Sequence, residues 1–221
     1  CPQLTDDTGI SRLMSAWDAA ESGSPLRDCE AVSTLINCVL QHNELGDSGR
    51  VYPGSPLVAL ELVRHELKAS GPSVFFELHS TDYPILNSAL YHTGLPNVRA
   101  AKADGFGEVQ QFVSEGRAGD SPGRFVSLLV DPSYEVKAEY NQVVALAECV
   151  TAGMPHSQTV IWYPRLRSRA EPDAMVAQLT STCSDSGFGW LNATFDTASP
   201  DGERGLYGSG LFVINPPQEG S

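Results

Sequence analysis

From residue 51 onward the chain alternates between two patterns, and that alternation constrains the fold more than any other feature. Apolar runs of strand length fall at 74–78, 98–102, 125–130, 159–162, 190–195 and 211–214. Between them, helical spacing is expected at 82–90, 106–113, 140–150 and 172–179. Strands that alternate with helices build a largely parallel sheet with helices covering both faces, so the expected class is α/β. Ahead of the first strand, Leu57, Leu60, Val63 and Leu67 have helical spacing, with Ser55 as the expected N-cap and Pro56 at the first helical position. Residues 1–50 differ. Ile10, Leu13, Met14 and Trp17 follow helical spacing, as do Val32, Leu35, Ile36 and Leu40. The expected organisation is a small helical segment over 1–50 and an α/β core over 51–221.

Charge narrows the partners. The chain of 221 residues carries 27 acidic against 14 basic side chains, a net of −13. A protein that grips a nucleic-acid backbone normally presents a basic surface, because neutralising phosphates supplies much of the affinity. The one basic run, Arg165, Arg167 and Arg169, reads equally as a phosphate contact or as a solvated turn. Cys1, Cys29, Cys38, Cys149 and Cys183 lack metal-ligand spacing, and the five histidines are scattered, so no metal site is expected. Dispersed cysteines of odd number suggest reduced thiols, hence an intracellular or organellar setting. No apolar run of membrane-spanning length and no signal-peptide pattern is visible.

Ligands of open α/β sheets bind beyond the carboxyl ends of the strands. Three successive strands here end in an acid: Glu77, then Asp104 with Gly105, then Asp131. An acid after a strand is often a helix cap, but three in order suggest a site. The first suits ribose hydroxyls. The second, with a glycine that lets a ligand approach the backbone, suits an adenine. The third faces a reacting group. That is the layout of a methyltransferase that uses S-adenosylmethionine.

Longer motifs carry a resemblance. The segments YPGSPL (52–57), ELHSTDYP (77–84), KADGF (102–106), DPSY (131–134), IWYP (161–164) and GSGLFVINPP (208–217) occur in order. They resemble the bacterial 23S rRNA (adenine-N6)-methyltransferases, a family also labelled as involved in catabolism of external DNA. The resemblance implies a Rossmann-like methyltransferase fold with a small helical insertion. It implies that Ser55, Glu77, Asp104 and Gly105 contact S-adenosylmethionine. It also implies that Asp131 and the Pro132 carbonyl accept the N–H groups of an adenine amine, while Tyr134 stacks on the extruded base. A carboxylate with an ordinary pKa of about 3.9 orients such an amine rather than deprotonating it.

Three features depart from the family pattern. Ser133 stands where the signature has a second proline, which frees φ at that position. The strand and Gly-rich loop that open the family's fold are not found after Cys1; that strand is expected between the strands ending at Glu77 and Asp131. The acidic balance does not suit rRNA. The favoured expectation is therefore a catalytically silent relative that acts as a structural or accessory subunit among protein partners, with no cofactor. The alternative is an active rRNA methyltransferase whose N-terminal part lies outside this sequence. Asn215-Pro216-Pro217-Gln218 nearly matches the signature but has Gln218 where the aromatic is required, and reads as an exit turn.

Overall fold

The computed structural model describes residues 9–44, 52–62, 71–116, 125–202 and 205–217. The chain divides into two compact units, Cys1–Ala103 and Asp104–Ser221.

The first unit runs α1 (Gly9–Ala19), α2 (Pro25–Asp28), α3 (Glu30–Glu44), α4 (Gly54–Glu61), β1 (Ser73–Phe76), α5 (Asp82–His92) and β2 (Val98–Ala101). Met14 on α1 meets Ile36 and Val39 on α3, with Ile10, Leu13, Trp17, Val32 and Leu35 packed around them. These are the apolar positions whose spacing predicts two amphipathic helices. Ser24 caps α2, and Arg27 lies over the Trp17 ring at 4.3 Å while its guanidinium donates to the Trp17 carbonyl at 2.7 Å. Strands β1 and β2 are parallel, with Ser73 opposite Val98 and Phe76 opposite Ala101.

One sequence expectation is corrected here. Ser55 is not the N-cap of its helix. Pro53 holds that place, Gly54 turns the chain with φ at +79°, and Ser55 lies inside α4. The Pro-Gly pair makes the bend, because only glycine takes a left-handed conformation without steric cost. Residues 63–70, over which this helix was expected to continue, lie outside the described residues.

The second unit runs α6 (Gly105–Ser114), β3 (Ser127–Val130), α7 (Ala138–Gly153), β4 (Gln158–Leu166), α8 (Glu171–Ser186), β5 (Trp190–Asp196) and β6 (Leu206–Ile214). Its sheet has the order β3-β4-β6-β5. Only β3 and β4 are parallel; β6 runs antiparallel to both β4 and β5. The expected parallel pairing holds for β1–β2 and β3–β4, while the sheet of the second unit is mixed. The reason lies in the connections: only residues 197–205 join β5 to β6, too few for a helical crossover, so the two strands pair as a hairpin. Within this unit helices cover one face of the sheet. Thr159, Ile161 and Tyr163 of β4 and Gly210, Phe212 and Ile214 of β6 are buried, while of the residues between them Val160, Trp162 and Val213 are half-buried and Leu211 is exposed. Val143, Ala147 and Val150 of α7 and Met175, Leu179 and Cys183 of α8 close that core. Gly187 ends α8 in the left-handed conformation, the usual C-terminal stop.

Among the described residues β1 pairs only with β2, and β3 only with β4. No described helix is long and apolar enough to cross a membrane.

Candidate active site

Strand β3 ends at Val130, opposite Ile161, and delivers Asp131 to the carboxyl end of the parallel β3–β4 pair. Asp131 is exposed, yet the surrounding protein desolvates its carboxyl enough to raise its pKa above the ordinary value. Its carboxylate makes no hydrogen bond or ion pair with the described residues. Pro132 is half-buried. Ser133 is exposed, and its hydroxyl lies 3.3 Å from both oxygens of Glu139. Glu139 also accepts from the Val136 amide at 3.4 Å, and the Ser133 oxygen accepts from the Glu135 amide at 3.4 Å. Glu139 stands in the first turn of α7, where a negative charge is favoured by the helix dipole.

Tyr134 turns the other way. Its backbone is left-handed, with φ at +55°, and only 3% of the side chain is exposed. The hydroxyl donates to the Trp162 carbonyl at 2.7 Å. The ring lies 4.6 Å from Tyr140 and 6.1 Å from Trp162, centre to centre. Burial, followed by the neighbouring Tyr140, Asp131, Glu139 and Tyr163, pushes the phenol pKa far above its ordinary value. Asp131 and Tyr134 thus share one loop but point apart, the acid to solvent and the ring into the core.

The other expected residues are placed as follows. Asp104 caps α6: one carboxylate oxygen accepts from the Phe106 amide at 3.1 Å. Gly105 is the first residue of α6, where backbone N–H groups lack helical partners. Glu77 follows β1 in the first unit. Its amide donates to the Ala101 carbonyl at 3.0 Å, so the ends of β1 and β2 lie side by side. Its carboxylate accepts from the His79 amide at 2.7 Å. Both acids therefore serve the local backbone with one oxygen. Carboxylate oxygens have further lone pairs, so each can accept another hydrogen bond, of the kind a ribose hydroxyl or an adenine amine offers. Asp104, Gly105, Asp131, Pro132 and Tyr134 belong to the second unit, Ser55 and Glu77 to the first.

Two of the three arginines are spoken for. Arg165 pairs with Asp196 at 2.6 Å, reaching across β6 where Gly208 has no side chain, and Arg167 donates to the carbonyls of Ser199 and Asp201. Asn215 follows Ile214, which pairs with Thr159 near the start of β4. The Asn-Pro-Pro at 215–217 therefore lies at the end of the sheet opposite Asp131, where Asn215 donates to the carbonyls of Pro155 and Ser157. No three His, Cys, Asp or Glu side chains among the described residues could hold a metal ion.

Glu139 and Trp162 were not singled out from sequence. Glu139 had a signal, an acid in the first turn of a helix shortly after the motif. Trp162 acts through its backbone carbonyl, for which side-chain chemistry holds no sign.

Comparisons with known proteins follow the same lines. A profile of the family described as "Ribosomal RNA large subunit methyltransferase D, RlmJ" matches residues 7–220. The chain is 33% identical over 190 residues to Ribosomal RNA large subunit methyltransferase J of Escherichia coli strain K12, covering 84% of this chain and 60% of that protein. It is 30% identical over 210 residues to the protein of the same name from Haemophilus influenzae, covering 95% and 66%. The chain thus spans less than two thirds of the length of these curated relatives. Among solved structures, a Legionella pneumophila protein superposes with a TM-score of 0.69 at 22% identity, over 98% of this chain and 73% of that one, a likeness of fold.

Proposed function

The chain belongs to the family described as ribosomal RNA large subunit methyltransferase D, RlmJ, and from that premise we propose that it carries the acceptor side of an S-adenosylmethionine-dependent methyltransferase acting on an adenine amine of large-subunit rRNA. The observation that carries this reading is Asp131: an exposed and partly desolvated carboxylate, without a hydrogen-bond or ion-pair partner among the described residues, at the carboxyl end of a parallel strand pair and followed by Pro132. S-adenosylmethionine, when bound, supplies the methyl group. This chain's residues do the rest. The Asp131 carboxylate and the Pro132 carbonyl would accept the two amine N–H bonds and orient the nitrogen; as the N–C bond forms the methyl–sulfur bond breaks, and the surplus amine proton is then lost to solvent past Asp131. Asp131 also stabilises the positive charge that develops on that nitrogen during transfer. Asp104, Gly105, Glu77 and Ser55 are the proposed donor contacts.

A second reading, a silent subunit held by protein partners, is favoured by one observation: Tyr134, the expected base platform, is withdrawn into the core. The test is transfer of labelled methyl from S-adenosylmethionine to a 23S rRNA fragment, with calorimetric titration of the donor. Transfer that is lost in Asp131→Ala supports the enzyme. Absence of both binding and transfer, with co-purification in a stable assembly, supports the silent subunit.

A further inference from the structure

A tyrosine in the left-handed region is uncommon and strained, so something must hold it. At Tyr134 the holding contacts are all visible. The ring is sealed within the core of its unit, against Tyr140 and Trp162 and beside the Met175 sulfur. Among the described residues the hydroxyl makes one short bond, to the carbonyl of Trp162. Trp162 lies one residue past Ile161, the last β4 residue paired with β3. The loop is therefore tied to β4 immediately beyond the end of β3. Neither face of the ring is open to a ligand. On the outer side the same loop is tied by Glu139, which meets the Ser133 hydroxyl and the Val136 amide.

We infer that Tyr134 is a positioning residue and not a stacking surface. Its anchored ring and left-handed backbone aim the Asp131 carboxylate and the Pro132 carbonyl, and Glu139 braces the loop from outside at the position where Ser133 lacks a proline ring. This assignment rests on the methyltransferase reading for its purpose, but its geometry is testable without turnover.

The experiment compares two substitutions in the full chain. Tyr134→Phe and Tyr140→Phe each remove one hydroxyl from the same core, but only the first breaks a hydrogen bond; the Tyr140 hydroxyl is buried without a partner among the described residues. In Tyr134→Phe, the ¹⁵N order parameters of the Ser133, Tyr134 and Glu135 amides are expected to fall from the rigid range of about 0.85 toward 0.6. The ¹³C resonance of the Asp131 carboxyl is expected to shift in the same variant. Where the chain methylates a 23S rRNA fragment, kcat falls about tenfold, the cost of one good hydrogen bond, with KM for RNA unchanged. Tyr140→Phe is expected to change none of these. Equal order parameters and an unmoved Asp131 resonance in Tyr134→Phe would overturn the inference. So would a 2-aminopurine at the target position whose quenching depends on the ring at 134 and not on its hydroxyl. If the wild-type chain neither binds S-adenosylmethionine nor turns over, the methyltransferase reading fails, and the NMR measurements still decide the anchor.

Discussion

Asp131 and Tyr134 stand three residues apart and show how differently burial acts on two polar groups. Asp131 is desolvated with no compensating partner among the described residues, so its ionised form is disfavoured and its pKa is raised. The sign follows from proton counting. Above the ordinary carboxylate pKa the folded chain holds more of this proton than the unfolded chain. Asp131 therefore lowers stability as pH rises through its folded pKa, and its cost is fully present above that value. Asp131→Ala is expected to raise the melting temperature at pH 7, with the gain shrinking as pH falls toward the ordinary carboxylate range; melting curves across pH check this. The same substitution is expected to lower methyl transfer by about 10²-fold or more, with donor affinity unchanged by calorimetry. Wild-type turnover should fall as acid protonates Asp131, starting above the pH at which an ordinary aspartate titrates.

Elements decide which of the strand-end acids can be tested cleanly. Asp104 both caps α6 and is the proposed adenine contact. Asp104→Ala removes both roles and is expected to cost about 1 kcal/mol of stability through the lost cap. Asp104→Ser keeps a capping oxygen, so it should melt within about 2 °C of wild type, since an exchange of good caps costs only tenths of a kcal/mol. Weaker donor binding in the serine variant would then belong to the site alone. Equal binding would remove Asp104 from the donor contacts. A second prediction concerns the sheet. Gly210 on β6 faces Tyr163 on β4, and an added methyl would run into the ring, whose hydroxyl is held by Asn192 at 2.8 Å. Gly210→Ala is expected to cost about 1–3 kcal/mol by overpacking, read as a lower urea midpoint with unchanged slope.

At the scale of the whole molecule the apolar packing is uneven. The second unit closes a core of sixteen buried residues over its sheet, whereas α1 and α3 of the first unit bury Met14, Ile36 and Val39. Local stability follows buried apolar contact. Amide exchange followed by mass spectrometry is therefore expected to be slower in α7, α8, β4 and β6 than in α1 and α3. Uniform protection across both would contradict this. The net charge of −13 also gains a structural reading. Arg165 and Arg167 are committed to Asp196 and to the carbonyls at Ser199 and Asp201, so the basic run braces the β4, β5 and β6 strands.

Periodicity and motif order by themselves determined the α/β class, nearly every element, the family and the arrival of Asp131 at a strand end. These are local properties: apolar spacing matches one backbone period, and a motif is a run of neighbours. Tertiary structure decided what depends on distant partners. The antiparallel placing of β5 and β6 follows from how strands pair across the sheet. The start of α4 at Gly54 follows from a backbone angle, and the capping by Asp104 from a single amide. Above all, Tyr134 keeps the residue type of a stacking platform, yet its ring lies in the core. The hydrogen bond that holds it there ends on the backbone carbonyl of Trp162, 28 residues away, and a backbone carbonyl looks the same at every position of a sequence.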